Sequence, residues 1–156
     1  RVSMAVNWCF NEPWPCIANN SLISWPARAR AAYYTVRDSL RDRMLSVRLR
    51  RLRWQTGEAM PLDVYLFNHA PSELPAGGMT LYLLRGGEKI RLAAFDWETV
   101  GPNEVLALGS AQADLSGLQA GEYRISAEAQ GHPEFDSVYG FFVRPEPPCP
   151  EKERLR

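Results

Sequence analysis

The chain has 156 residues, 46% hydrophobic and 23% charged, the make-up of an ordinary folded protein with room for one domain and a remnant of another. Eighteen basic residues balance eighteen acidic ones, so no bulk charge draws it to nucleic acid or to an anionic membrane. The longest apolar runs, Val64 to Phe67 and Leu81 to Leu84, are far too short to span a bilayer.

The chain opens at Arg1 without a methionine, which leads us to expect a piece of a longer polypeptide. Residues 2–10, Val-Ser-Met-Ala-Val-Asn-Trp-Cys-Phe, are uncharged and of strand length, as suits a strand covered on both faces in a parallel barrel or sheet. A loop follows from Asn11 to Trp25, with prolines at 13 and 15 and an Asn19-Asn20-Ser21 turn cluster. Pro26 is placed near a helix start, where its missing N–H does no harm. From Ala27 to about Arg43 the period is helical. Ala29, Ala32, Tyr33, Val36 and Leu40 share one stripe, while Arg30, Arg37, Asp38 and Arg41 face away.

From Met44 the pattern becomes strands and turns. Leu45 to Trp54 reads as a strand with a phase slip, for which a β-bulge near Arg50 and Arg51 is the expected cause. Further strands are predicted at Leu62–Asn68, Met79–Arg85, Lys89–Phe95, Val105–Ala113, Tyr123–Ala129 and Val138–Arg144, separated by glycine, proline and asparagine turns. Tyr123, Ile125, Ala127 and Ala129 alternate with Arg124, Ser126 and Glu128, as on a strand with one wet face. Seven short strands without a helix between them predict an all-β sandwich. The domain organisation is therefore a strand–loop–helix remnant over 1–43, a sandwich over 44–146 and a frayed tail over 147–156.

Little of the remaining chemistry is site-like. Cys9, Cys16 and Cys149 are odd in number and lack CxxC spacing; a Cys9–Cys16 bridge is sterically conceivable, but unpaired thiols are the expectation. His69 and His132 lie far apart beside turns, so no metal site follows, and no cofactor is expected. The arginines at 41, 43, 48, 50, 51 and 53 read as a solvated or interdomain salt-bridged face rather than a nucleic-acid surface.

Chemistry concentrates in Trp8-Cys9-Phe10-Asn11-Glu12-Pro13-Trp14-Pro15. This segment places large aromatics, an amide and a carboxylate at the C-terminal end of a buried strand, the active-site end in a βα-barrel. Indole faces pack on the C–H patches of sugar rings, and Asn and Glu side chains bond hydroxyls. A capped core strand with packing tryptophans accounts for the same residues.

Trp8, Asn11, Glu12, Trp14 and Pro15 resemble the Trp-x-x-Asn-(Asp or Glu)-x-Trp-Pro motif on the last barrel strand of family 2 glycoside hydrolases, the β-mannosidase, β-galactosidase and β-glucuronidase relatives. Ala31, Ala32, Tyr33, Tyr34 and Val36 resemble the helix that follows it there, with its Lys/Arg-x-x-Tyr-Tyr pattern. Ser137 to Val143 resembles the Asn-x-Tyr-x-Phe ending of the mannosidase branch, with serine in place of asparagine. The resemblance implies a fold that is mainly β: an immunoglobulin-like antiparallel β-sandwich preceded by the last strand and helix of a TIM barrel. It implies a retaining glycosidase as parent, with carbohydrate as the partner and Trp8, Asn11, Glu12 and Trp14 on the substrate side. It also implies a non-proline cis peptide at Trp8–Cys9, with Trp8 beneath the reacting sugar. Asn11-Glu12-Pro13 resembles a fourth-strand acid motif as well, but βα units would have to follow it, and a sandwich follows instead. Retaining chemistry needs two carboxyls roughly 5–5.5 Å apart, and in family 2 both lie on earlier strands, outside this chain. The missing N-terminal domains would then be a partner too. The other function class is a non-catalytic sandwich that binds carbohydrate or protein.

Overall fold

The structure is a computed structural model that describes residues 9–16 and 20–145. The strand expected over 2–10, apart from its last two residues, lies outside the described residues, as do Trp8 with its Trp8–Cys9 bond, Cys149 and the 147–156 tail. The chain divides into two compact units, Arg1–Arg41 and Asp42–Arg156.

In the first unit a hairpin of two-residue strands pairs β1 (Ile23–Ser24) with β2 (Arg28–Ala29) and precedes a nine-residue helix, α1 (Ala31–Ser39). The helix is shorter than its periodicity predicts. Pro26 sits at the hairpin tip after a cis Trp25–Pro26 bond, and Ala27 takes φ 132°. The chain between 23 and 29 is thus committed to a reversal, and helical backbone begins only after Arg30 at the N-cap. No residue of α1 is buried: Tyr33 and Val36 are half-buried, and Leu40 is 74% exposed.

The second unit is a β-sandwich. A three-stranded sheet has the order β3-β5-β8, from Arg43–Leu49, Ala59–Asn68 and Glu104–Asp114. A five-stranded sheet has the order β4-β10-β9-β6-β7, from Arg53–Gln55, Ser137–Arg144, Gly121–Ala129, Gly77–Arg85 and Glu88–Trp97. All neighbours are antiparallel except β4 and β10. The strands form because their inward positions are apolar at period two. In β5, Met60, Leu62, Val64 and Leu66 are buried, and between them Pro61, Asp63, Tyr65 and Phe67 are only half-covered. These side chains meet Leu45, Val47, Trp54, Leu81, Ile125 and Phe141 in one core. Each such burial contributes roughly 1.5–3 kcal/mol.

The phase slip between Leu49 and Trp54 has a different cause from the predicted bulge. The strand ends at Leu49, and the chain crosses to the other sheet, where Trp54 enters the core as part of β4. Leu52, on this crossing, is 62% exposed and lends its carbonyl to the Phe142 N–H. Bulges do occur, on the two edge strands β7 and β8. Leu92 is the extra residue in one and Leu108 in the other, as the register on either side shows. Beside the second, Gly109 stands at φ 150°, and a Cβ there would lie 2.7 Å from the Phe95 ring. Ser126, expected on the wet face of β9, is dry. It is covered between its cross-strand neighbours Tyr82 and Val138 and donates to Glu128 Oε1 at 2.8 Å.

Two polar knots fix the loops. Asn68, fully buried, donates Nδ2 to the carbonyls of Ser72, Val100 and Gly101, and its Oδ1 accepts from Arg43 Nε. Tyr123 donates its hydroxyl to the Gln119 carbonyl at 2.9 Å. This is the tyrosine corner of immunoglobulin-type sandwiches, at the start of the strand that carries it there.

Candidate functional site

The loop before α1 is held by backbone bonds along two short runs. Cys9 N–H donates to Asn20 O, Leu22 N–H to Cys9 O, Ile23 N–H to Phe10 O and Glu12 N–H to Ile23 O, at 2.9–3.1 Å. Asn11 and Ile23 form a parallel bridge. This pairing turns the Glu12 side chain inward, where it is 8% exposed.

A carboxylate out of water requires partners, and Glu12 has three. Oε1 accepts from Ser21 Oγ at 2.9 Å and from Arg30 Nη2 at 2.8 Å, and Oε2 accepts from the Trp25 backbone N–H at 3.3 Å. Burial works to raise the Glu12 pKa. The Ser21 hydroxyl, the Trp25 N–H and the charge and hydrogen bond of Arg30 together outweigh it and hold the carboxyl below its ordinary range. Arg30 is tied in turn by its own N–H to Leu22 O, while its Nε is buried with no hydrogen-bond partner. Ser21 and Leu22 are the buried residues among those described in this unit.

The rings point the other way. Trp14 is 65% exposed, Phe10 61% and Trp25 49%, and Asn11 is also exposed. Of the four predicted site residues, Asn11 and Trp14 are open to solvent, Glu12 is turned inward, and Trp8 is not described. Sequence reasoning missed Ser21, Trp25 and Arg30 as partners of the motif. By pattern alone Ser21 falls in a turn cluster and Arg30 on the outward face of a helix. A signal existed: an acid in an otherwise uncharged stretch needs a cation, and Arg28 and Arg30 are the first to follow. Chemically the arrangement offers aromatic faces and an amide. It offers no acid–base pair, because the other acid up to Arg41 is Asp38, held on the helix surface by Arg37.

In the second unit the arginine run disperses. Arg43 ties the Asn68 knot and also reaches Ser72 and Glu73, while Arg51 pairs with Glu58 and lies over the Trp54 ring at 4.0 Å. Arg48, Arg50 and Arg53 are exposed. Cys9 is a free thiol, so the conceivable Cys9–Cys16 bridge does not form. Among the described residues no group of three or more His, Cys, Asp or Glu gathers as a metal site.

No protein-family model matches the sequence, and no curated protein matches it. Solved structures do match in fold. The CARDB domain of a Pyrococcus furiosus protein, crystallised with di-metal ions, is similar at TM-score 0.54 and 16% identity, over 67% of this chain and 94% of that one. A β-glucosidase from Erythrobacter marinus is similar at TM-score 0.50 and 11% identity, over 65% of this chain and 15% of that enzyme. At such identities these likenesses speak to fold alone, and with the tyrosine corner and the three-on-five sheet order they establish an immunoglobulin-like β-sandwich.

Proposed function

We propose that the chain is the C-terminal part of a family 2 retaining glycoside hydrolase, β-mannosidase-like or β-galactosidase-like. Residues 1–43 complete its catalytic barrel and 44–146 form the sandwich that follows in the chain. Trp8, Asn11 and Trp14 are the sugar-facing residues. Glu12 serves on the substrate side as the group that holds them. The observation that supports this is the clamp on Glu12: with both carboxylate oxygens engaged inward, Phe10, Trp14 and the Asn11 amide are left open to solvent. Packing tryptophans of a capped core strand would be covered instead. The catalytic carboxylates belong to the preceding part of the polypeptide.

The test is to express the whole open reading frame and assay aryl β-mannoside, β-galactoside and β-glucuronide hydrolysis. Activity that Trp14→Ala or Asn11→Ala lowers in kcat/KM, with the melting temperature unchanged, is the expected result. A reading frame without barrel sequence upstream, or activity indifferent to both changes, refutes it.

A second reading, a non-catalytic sandwich that binds carbohydrate or protein, is favoured by one observation: residues from Asp42 onward have a complete core of their own.

A further inference from the structure

We propose that the outer face of the five-stranded sheet carries a binding groove for an acidic oligosaccharide, one whose carboxylates are separated by neutral hydroxylated sugar. This gives the second reading above a site and rests on the sandwich alone.

Two adjoining hollows of about 400 and 340 Å³ lie at one end of this face, and both are lined by Glu122. Register places their residues in rows across the strands. Arg53 on β4 stands beside Phe142 on β10, and Phe142 beside Glu122 on β9. In the next row Arg124 on β9 lies between Gly140 on β10 and Leu84 on β6. The groove therefore runs across the strands. At the usual strand spacing, five strands span about 19 Å, longer than a single sugar and suited to an oligomer.

The lining has a definite charge order. Arg53 and Arg144 line the hollow on the β4 and β10 side of Glu122, and Arg124, two residues further along β9, lines the other. None of these four makes an ion pair or side-chain hydrogen bond among the described residues, although the chain as a whole is neutral. The other cations of this end are committed, Arg85 to Glu88 and Lys89 to Glu128. Guanidinium forks match carboxylates in pairs of bonds, so the two ends select acid groups. Glu122 at the centre repels a uniform polyanion such as nucleic acid, and accepts hydroxyl donors instead. Phe142 is 50% exposed and offers a ring face to sugar C–H groups. Gly140 leaves the floor open: a Cβ there would meet only Glu122 Oε1, at 3.7 Å. A peptide lying across the strands finds no free strand edge to pair with, and only Phe142 and Leu84 to receive apolar side chains.

The test titrates the 156-residue chain with a hyaluronan tetrasaccharide, in which glucuronate alternates with neutral N-acetylglucosamine, followed by calorimetry and by backbone amide shifts. The expected result is saturable binding that weakens with salt, with shifts at 122–124 and 140–144. Arg53→Ala combined with Arg124→Ala should weaken it at least tenfold. Glu122→Gln should leave it equal or tighten it about threefold. All three side chains are exposed, so an unchanged melting temperature certifies the variants. Absence of saturable binding overturns the proposal, as does binding indifferent to the arginine pair. Equal or tighter binding of a glutamate-rich peptide or a heparin tetrasaccharide overturns it too. If mannotetraose or the peptide binds and the hyaluronan tetrasaccharide does not, this inference falls while the binding-module reading survives.

Discussion

The two units hold their shape by different physics. From Asp42 on, order comes from apolar side chains closed between two sheets, with Leu45, Met60, Leu62, Leu66, Leu81, Ile125 and Phe141 all fully buried. Up to Arg41, no helix residue is buried, and the described loop is organised around one carboxylate with three donors. A core of this kind is redundant, non-directional and indifferent to pH near neutrality. A carboxylate clamp is directional, depends on charge, and fails when one partner is removed. The lesson is that one unit is held by a redundant apolar core and the other by a directional set of bonds to a single carboxylate.

That contrast can be broken at its strongest point first. Phe141→Ala empties the centre of the sandwich and stacks nothing on Tyr123, whose ring lies 5.9 Å away in the native protein. A loss of about 3–5 kcal/mol in chemical denaturation is expected. A loss under 1 kcal/mol would mean that the two-sheet core is not what holds this unit. Next, Asn68→Leu keeps the branched shape, with some added bulk, but strips the donors from three carbonyls and the acceptor from Arg43. About 1–3 kcal/mol should be lost, with hydrogen exchange rising first around Ser72 and Gly101. A change to Val at Gly109 tests the bulge. The left-handed backbone there costs a branched residue about 1–3 kcal/mol, and the Phe95 clash adds to it. Phe95→Ala in the same chain should recover the clash but not the backbone strain, so full recovery would show that only space matters at this site.

Smaller global effects sharpen the other side of the comparison. Residues 42–156 alone should unfold in one cooperative transition near that of the whole chain, since their core is complete. A molten spectrum would show that the first unit supplies part of the stability. Glu12→Gln should leave that main transition in place yet speed amide exchange at Trp25 and raise the accessibility of the loop tryptophans to quenchers. The pH dependence has a definite sign. The folded Glu12 pKa lies below its ordinary 4.5, so the clamp's contribution is fully present above that value and is lost as pH falls through the folded pKa. Protection of the Trp25 amide should thus hold from neutrality to about pH 4.5 and then drop, and Glu12→Gln should abolish the step. Protection that persists to pH 2 in the native chain would mean the charge on Glu12 is not what closes the loop.

How much was legible beforehand follows the same division. The sandwich strands were readable because alternation at period two is a local property, and each predicted segment from Leu62 onward contains residues of one observed strand. What went unread in that unit was non-local. The slip between Leu49 and Trp54 is a change of sheet, and the dryness of Ser126 is set by Tyr82 and Val138 on neighbouring strands. In the first unit the helix stripe was visible, but its start was misplaced because Trp25–Pro26 belongs to a hairpin of two-residue strands, too short to leave a pattern. The motif residues Asn11, Glu12 and Trp14 stood out by type, whereas their division into an inward acid and outward rings did not.

By itself, then, the sequence determined the things that depend on neighbours within a few positions: strand periodicity, turn chemistry, the helical stripe, and a concentration of aromatic and amide groups before Pro15. Only the tertiary structure decided which sheet each strand joins, that Ser21, Trp25 and Arg30 converge on Glu12, and that Arg53, Glu122, Arg124 and Phe142 line one face across three strands. Those pairings join residues 9 to about 90 positions apart. They come from backbone pairing, desolvation and, around Glu12, directional side-chain bonds that exist only once the chain has closed on itself, and no local pattern encodes them.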